Sequence, residues 1–588
     1  MKTFFKMLLA SILGVIIAGL LLFFILIGIG SALISSGDGV VEIEPNSILK
    51  LTLDNEIFDR EPNNPLAGIN FAGIGKDRQD GLIEILDNIK KAKDDANIKG
   101  IYLEFSLVQA RIATIEEIRN ALIDFKNSGK FIIAYAEVYT QGSYYLATVA
   151  DKIYLNPQGS IDFVGLRSET MFFKGTLDKL GVEAQIVRHG KFKSAIEPFM
   201  SDKMSQENKL QVTEFLNSIW GHYLSGISER RNISKNQLNV LADKMILADA
   251  DSCLAYKIVD SLLFKDQVNS KLLKLSGQKS KVPEFIGLSK YEKVPKKPSG
   301  KGFAKSKIAI IFAQGEVVVG NEGENFIASD RISKAFRDAR NDSSIKAIVF
   351  RINSPGGSAL ASDIIWREVK LTTKVKPVIA SMGDLAASGG YYIACAADNI
   401  VASPSTITGS IGVFGMLINV KQFLNQKLGI TSDVARTNEH SDFPTILRPM
   451  NNNEKAIMQF EVDKIYKTFI EHVAEGRNLD KKKVDEIAQG RVWTGADAIG
   501  LGLVDTIGGL NVAIAIAAKK AKLINYRLIN LPKLEDPFEK LISEITGDVK
   551  TKILKSELGT DYKYIQQYKS LLKMNGIQAR LPFDIEVY

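Results

Sequence analysis

From Ile48 to Leu53 apolar and polar residues alternate (Ile48-Leu-Lys-Leu-Thr-Leu53), the period of a half-buried strand. Beyond it the period switches back and forth. Leu82–Lys93 has helical spacing, Ile98–Phe105 is strand-like, Ile115–Asn127 helical and Phe131–Glu137 a strand. After residue 306 the alternation returns: strand Ile308–Phe312, helix Ile332–Ala339, strand Ile345–Ile352, helix Ala359–Leu371, strand Val378–Ser381. Strands and helices alternating at this spacing predict βα units, a largely parallel sheet and an α/β fold. Each series runs into a mainly helical segment, 205–260 and 453–506.

The two series are copies. Residues 98–157 and 345–404 align without a gap at an offset of 247. Tyr144-Tyr145 and Asp151 answer Tyr391-Tyr392 and Asp398; further on, Arg231-Asn232 answers Arg477-Asn478, and Val259-Asp260 answers Val504-Asp505. This predicts a first repeat over 45–267 and a second over 307–530. The stretch 268–306, rich in Lys, Ser, Gly and Pro, reads as a linker between them. Residues 531–588 lie outside the repeat, with a charged, helical pattern.

At the N-terminus the pattern loses its polar half. Met7–Gly30 is an almost unbroken apolar run of 24 residues, and no charge occurs from Met7 to Gly37. A membrane-spanning helix needs about 20 such residues, and a cleavable signal has a shorter apolar core and small residues before its cut. Residues 1–37 are therefore expected to be a short tail and an uncleaved anchor. Lys2 and Lys6 precede the run, and Asp38, Glu42 and Glu44 follow it, which orients the tail inside and the body outside.

Composition narrows the function. At 588 residues the chain is too long for one core. Its net charge of +8 is dispersed, with lysines beside acids (Lys90-Lys91-Ala-Lys93-Asp94-Asp95), and no nucleic-acid motif appears. Two cysteines, Cys253 and Cys395, make neither a disulfide framework nor a metal cluster. No zinc, phosphate-loop or dinucleotide signature is present, so neither metal nor cofactor is expected.

Chemistry enters where the copies differ. Ala387-Ser388-Gly389-Gly390 in the second stands opposite Thr140-Gln141-Gly142-Ser143 in the first, and Ser354-Pro355-Gly356-Gly357-Ser358 opposite Leu107-Val108-Gln109-Ala110-Arg111. Only the second keeps a serine and flexible glycines. Ser388 follows a strand and a turn and opens the apolar helical run Tyr391–Ala397, where unpaired N–H groups favour negative charge. Gly389 offers one N–H to an oxyanion and Gly356-Gly357 a second. In isolation such a serine reads as a helix N-cap; the paired glycine turn, missing from the other copy, favours a nucleophile.

A serine nucleophile needs a base. Of the four histidines, His189, His222, His440 and His472, only His440 suggests a triad, in a polar loop of the serine's own copy. The alternative is a lysine from the first copy, in Gly190-Lys191-Phe192-Lys193-Ser194-Ala195-Ile196-Glu197-Pro198. Ser441 stands opposite Lys193 in the second copy, and Lys191 rivals Lys193 on spacing alone. A lysine acts as a base only when neutral, which requires burial.

At these residues the chain resembles a known family. Ser354-Pro-Gly-Gly-Ser358, Ala386-Ala-Ser-Gly-Gly-Tyr391, Pro404-Ser-Thr-Ile-Thr-Gly-Ser410-Ile-Gly412 and Lys193-Ser-Ala-Ile-Glu-Pro198 look like the signal peptide peptidase A (protease IV) family, peptidase family S49, in its long duplicated bacterial form. The resemblance runs from the anchor through Gly509 and implies a tandem crotonase-like, Clp-protease-like βα superhelix behind an N-terminal transmembrane helix. It implies Ser388 as nucleophile, Lys193 as general base, Ser410 as the residue orienting the lysine, and Gly357 and Gly389 as oxyanion donors. It further implies a homotetramer on the bacterial inner membrane, its body on the extracytoplasmic side, cutting remnant signal peptides.

Two other classes fit parts of the sequence. A crotonase-like acyl-CoA enzyme would use the same oxyanion donors but no serine, and a non-catalytic membrane scaffold would need Ser388 only as a cap. Ser343/Lys346 and Ser570/Lys573 have the Ser-x-x-Lys spacing but no accompanying Lys-Thr-Gly, and read as chance.

Overall fold

The computed structural model describes residues 41–62, 79–295, 304–534 and 576–580, with scattered positions between 3 and 21. The first repeat supplies β1 (Ser47–Leu51), α1 (Leu82–Asp94), β2 (Ile98–Glu104), α2 (Ile112–Lys126), β3 (Phe131–Tyr139), α3 (Gln141–Ala147), β4 (Lys152–Ile161), β5 (Glu183–His189), α4 (Gln206–Arg231), β6 (Ser261–Leu262) and β7 (Phe285–Gly287). Six of these strands form one parallel sheet in the order β6-β4-β3-β2-β1-β7.

The second repeat supplies β8 (Lys307–Gln314), β9 (Glu316–Val318), β10 (Phe326–Ala328), β11 (Ile345–Ser354), β12 (Gly356–Ser358), α5 (Ala359–Thr373), β13 (Val378–Ala387), α6 (Gly389–Ala394), β14 (Asn399–Ala402), β15 (Ile407–Gly409), β16 (Val413–Asn419), α7 (Asn452–Arg477), β17 (Val492–Thr494), β18 (Thr506–Ile507) and β19 (Arg527–Leu531). Its sheet runs β17-β15-β13-β11-β8-β19, with β14 against β13 and β18 against β14. All ten residues of β13 are buried, as a central strand covered on both faces requires.

The duplication extends to single hydrogen bonds. Asp151 and Asp398 each accept an N–H from the start of the neighbouring strand, that of Ile132 in β3 and that of Val378 in β13, at 2.8 Å. Asp260 and Asp505 accept from Ile153 and Ile400 in the same way, and each also pairs with an arginine, Arg231 or Arg477. The shared tyrosines donate to matched carbonyls, Tyr144 to Ile258 at 2.8 Å and Tyr391 to Leu503 at 2.9 Å. Both 26-residue helices, α4 and α7, end in an asparagine in the left-handed region, Asn232 and Asn478. The motifs common to both copies thus build the scaffold.

A third sheet joins the halves. Its order is β10-β9-β12-β20-β16-β5, where β20 is Gly576–Arg580 near the C-terminus. The antiparallel pair β5–β16, in register from Glu183↔Asn419 to His189↔Val413, zips the first repeat to the second.

Two expectations need correction. The stretch 268–306 is not simply a linker: it begins inside a helix, Lys265–Ser276, and provides β7, the edge strand beside β1. Four of its apolar positions, Val268, Leu272, Ile286 and Tyr291, are buried against the first sheet despite the polar composition around them. In the extension expected to be helical, the described residues 576–580 form a strand, because Gly356–Ser358 and β16 offer it two unpaired backbone edges. The apolar run Met7–Gly30 lies largely outside the described residues; among those described, no helix is long and apolar enough to cross a membrane.

Candidate active site

Ser388 stands where β13 ends and α6 begins. β13 runs unbroken to Ala387, through what the sequence suggested was a turn. The chain then reverses at Ser388 itself, at φ 57° and ψ −113°, a region a non-glycine residue rarely occupies. Its N–H is held by Gly409 O at 2.8 Å. Its side chain makes no cap hydrogen bond to α6, so the N-cap reading does not describe it.

The lysine arrives through the zipped pair. After β5 ends opposite Val413, the chain turns at Gly190 (φ 102°), and Phe192 N–H donates to Gln489 O at 2.9 Å. Lys193 then points into the second repeat. Its Nζ lies 2.7 Å from Ser388 Oγ, 3.1 Å from Ser410 O and 3.1 Å from Ser410 Oγ, all within one chain. Lys193, Ser388 and Ser410 are fully buried. Burial drives the lysine pKa well below its ordinary value, because the desolvated ammonium loses its hydration. The neutral amine has a lone pair for the Ser388 hydroxyl proton and N–H groups for Ser410.

Lys191 is exposed, its Nζ 5.4 Å from the Phe192 ring centre. Each histidine is engaged elsewhere by a carboxylate: His189 by Asp463, His222 by Glu116, His440 by Glu454 and His472 by Asp363. The position equivalent to Ser388, Gln141, is buried and holds the loop at Val164 and Gly165. Lys346 is exposed, and Ser570/Lys573 lie outside the described residues.

The glycine turn faces the serine. Gly356 N–H donates to Ser354 Oγ at 3.1 Å, so of this pair Gly357 is the one whose N–H is not taken by that serine. A Cβ on Gly357 would lie 2.2 Å from Val317 O, and one on Gly389 would lie 2.7 Å from Ser362 Oγ. Gly357, which has a φ of 153° and backbone on its open side, therefore requires glycine, whereas a side chain at Gly389 would first have to displace the Ser362 hydroxyl.

Sequence reasoning missed the residues that hold the lysine loop. Glu197, buried in the Lys193–Pro198 motif, accepts from Ser205 Oγ, Ser205 N and Asn208 Nδ2. Gln211 donates to Phe192 O and Ser194 Oγ and accepts from Val492 N, bridging the lysine loop to β17. Gly490, at φ 77°, lies against the lysine: a Cβ there would come within 2.7 Å of Lys193 Cβ. Gln211 sits in a helix of unexceptional polarity, and Gly490 in an ordinary turn, so neither carried a signal. Among the described residues, no group of three or more His, Cys, Asp and Glu is arranged to hold a metal ion.

A buried serine and a buried lysine are in contact across the two copies, and comparison with known proteins places the chain among the serine peptidases. The model of peptidase family S49 matches residues 124–279 and 370–524, and that of Clp protease matches residues 300–407. The chain is 36% identical to "Protease 4" of Salmonella typhi over 543 residues, covering 90% of this chain and 87% of that protein. It is 32% identical to the chloroplastic "Serine protease SPPA" of Arabidopsis thaliana over 546 residues, covering 92% and 78%. A shorter match, 32% over 235 residues, is to the "Putative signal peptide peptidase SppA" of Enterococcus faecium, covering 39% of this chain and 67% of that one. The chain belongs to peptidase family S49, in the duplicated protease 4 form.

Proposed function

We propose that this chain is a membrane-anchored serine endopeptidase whose Ser388/Lys193 dyad degrades cleaved signal peptides and similar apolar segments. The observation that carries this reading is the buried amine 2.7 Å from the serine hydroxyl. Neutral Lys193 takes the Ser388 proton as Oγ attacks a peptide carbonyl carbon, and Ser410 keeps the amine oriented. The oxyanion accepts from the N–H groups of Gly357 and Gly389. The C–N bond breaks, the lysine ammonium returns its proton to the leaving amine, and Lys193 then deprotonates the water that hydrolyses the acyl ester. The name of the Enterococcus relative supports signal peptides as the substrate class. The apolar run Met7–Gly30 would hold the enzyme in the bacterial cytoplasmic membrane with its body outside, and the working form would be a homotetramer.

The test is covalent labelling of Ser388 by a fluorophosphonate across a pH series. The active form is the deprotonated lysine, so labelling and peptide hydrolysis are absent below the lysine's depressed pKa, rise through it and level off above it. A rate that is flat with pH, or a label on any other serine, rules the dyad out.

Gly490 offers a check on positioning. Gly490→Ala adds a methyl against Lys193 at a positive-φ position. A displacement of about 1 Å in a catalytic group costs roughly 10²-fold. The expected result is a kcat about 10² lower with KM little changed and an unaltered circular dichroism spectrum.

A further inference from the structure

An endopeptidase must admit a peptide to its serine, yet Ser388 is fully buried. Part of the cover is the chain's own β20 (Gly576–Arg580). It lies between β12, which carries the glycine turn, and β16, which begins three residues after Ser410, and pairs antiparallel with both. Gly357 is opposite Ala579, Gly356 opposite Arg580, and Gln578 opposite both Ser358 and Phe414. A strand added between two backbone edges is a general way for a protein to hold an extended peptide, with main-chain bonds giving affinity and side-chain pockets giving selectivity.

The register is specific. Ala579 O lies 2.1 Å from the position a Cβ would take on Gly356 and 3.1 Å from that on Gly389. The carbonyl thus enters the space that the two glycines leave open beside Ser388. Ala579 is fully buried, and Arg580 on its C-terminal side pairs with Glu316 at 3.2 Å.

We infer that β20 is a built-in occupant of the peptide groove, seated like a substrate with Ala579 just before the scissile position, so that an external peptide must displace it to reach Ser388. This rests on Ser388 being the nucleophile. It also names the preferred substrate: an extended segment with a small apolar residue before the cut and a basic residue, facing Glu316, after it. A segment carried by the same chain competes at an effective concentration on the order of millimolar, so the self-block is substantial.

The test uses the full chain bearing Ser388→Ala, which removes cleavage from the measurement, and a fluorescent peptide with the sequence of residues 576–582, Gly-Ile-Gln-Ala-Arg-Leu-Pro. Ending that chain after Asn575 should tighten peptide binding at least tenfold. Ala579→Trp in the full-length Ser388→Ala chain should give a similar gain, because the indole has no room at a fully buried position. A peptide with Phe in place of its alanine should bind none of these proteins. Equal affinity in all three, or loss of binding on truncation, overturns the inference. Fluorophosphonate labelling of chains that retain Ser388 separates the two levels. If Ser388 stays unlabelled even after truncation and no peptide is cut, the peptidase mechanism itself has failed. Labelling and cleavage with equal peptide affinities remove only the self-block.

Discussion

Replacing Lys193 by Met should abolish peptide hydrolysis without destabilising the fold. Loss of a general base costs about 10²–10⁴ in rate, and a nucleophile and base that act as a unit fail together. Ser388→Ala, Lys193→Met and the double variant should therefore show the same residual rate, about 10⁴-fold below wild type. A double variant slower than either single by the product of their effects would mean that the two groups act independently. Stability should move the other way. An unfolded lysine keeps its ordinary pKa, whereas the folded one is depressed by burial. At any pH between the two values the unfolded chain binds the extra proton, so wild-type stability rises with pH across that window and is reduced below it. Met fills similar volume and carries no proton. Lys193→Met should thus melt no lower than wild type at neutral pH and lose the pH dependence that the lysine contributes. Calorimetry from neutral to alkaline pH, beside a hydrolysis assay, measures both effects.

Much of this was legible in the chain because the repeat acts as an internal control. Residues kept in both copies, such as Asp151/Asp398 and Arg231/Arg477, proved to be scaffold. Of the residues kept in one copy, Ser388 meets the buried lysine, and Gly356 packs against Gly389 beside that serine. Strand and helix positions followed from period, with boundaries short by a few residues where buried strands continue past their apolar run, as β13 does through Asp384. The choice of Lys193 over Lys191 was not legible from spacing. It depends on which way a loop turns after β5, and that is fixed by Gly190 packing on Gln489, 299 positions further along the chain. Nor was β20 legible: five residues in a charged tail become a strand only because two partner edges wait for them.

Arg351 to Ala should give the largest loss of stability. Its guanidinium is fully buried on β11, the strand leading to the glycine turn. Nε donates to Asp59 Oδ1 at 2.8 Å, Nη1 donates to Ser381 Oγ at 3.1 Å, and Nη2 lies 2.7 Å from Glu117 Oε1. Asp59 and Glu117 both come from the first repeat, and Glu117 in turn accepts Leu510 N–H from the second at 2.6 Å. One cation therefore holds two buried anions and both halves of the molecule together. Removing one side of a buried ion pair costs about 3–5 kcal/mol, because the remaining charge is left without hydration or a partner. At 2–4 °C per kcal/mol for domains of this size, the melting midpoint should fall by roughly 10 °C. The loss should depend on pH in a fixed direction. Burial already raises the Glu117 pKa, and the arginine opposes that rise. Without the arginine the folded chain binds a proton that the unfolded chain releases, so the variant recovers stability as pH falls through the raised carboxyl pKa. A deficit that is large at neutral pH and shrinks toward pH 5 identifies stranded carboxylates as its cause; a deficit constant with pH points to lost packing around the arginine stem instead.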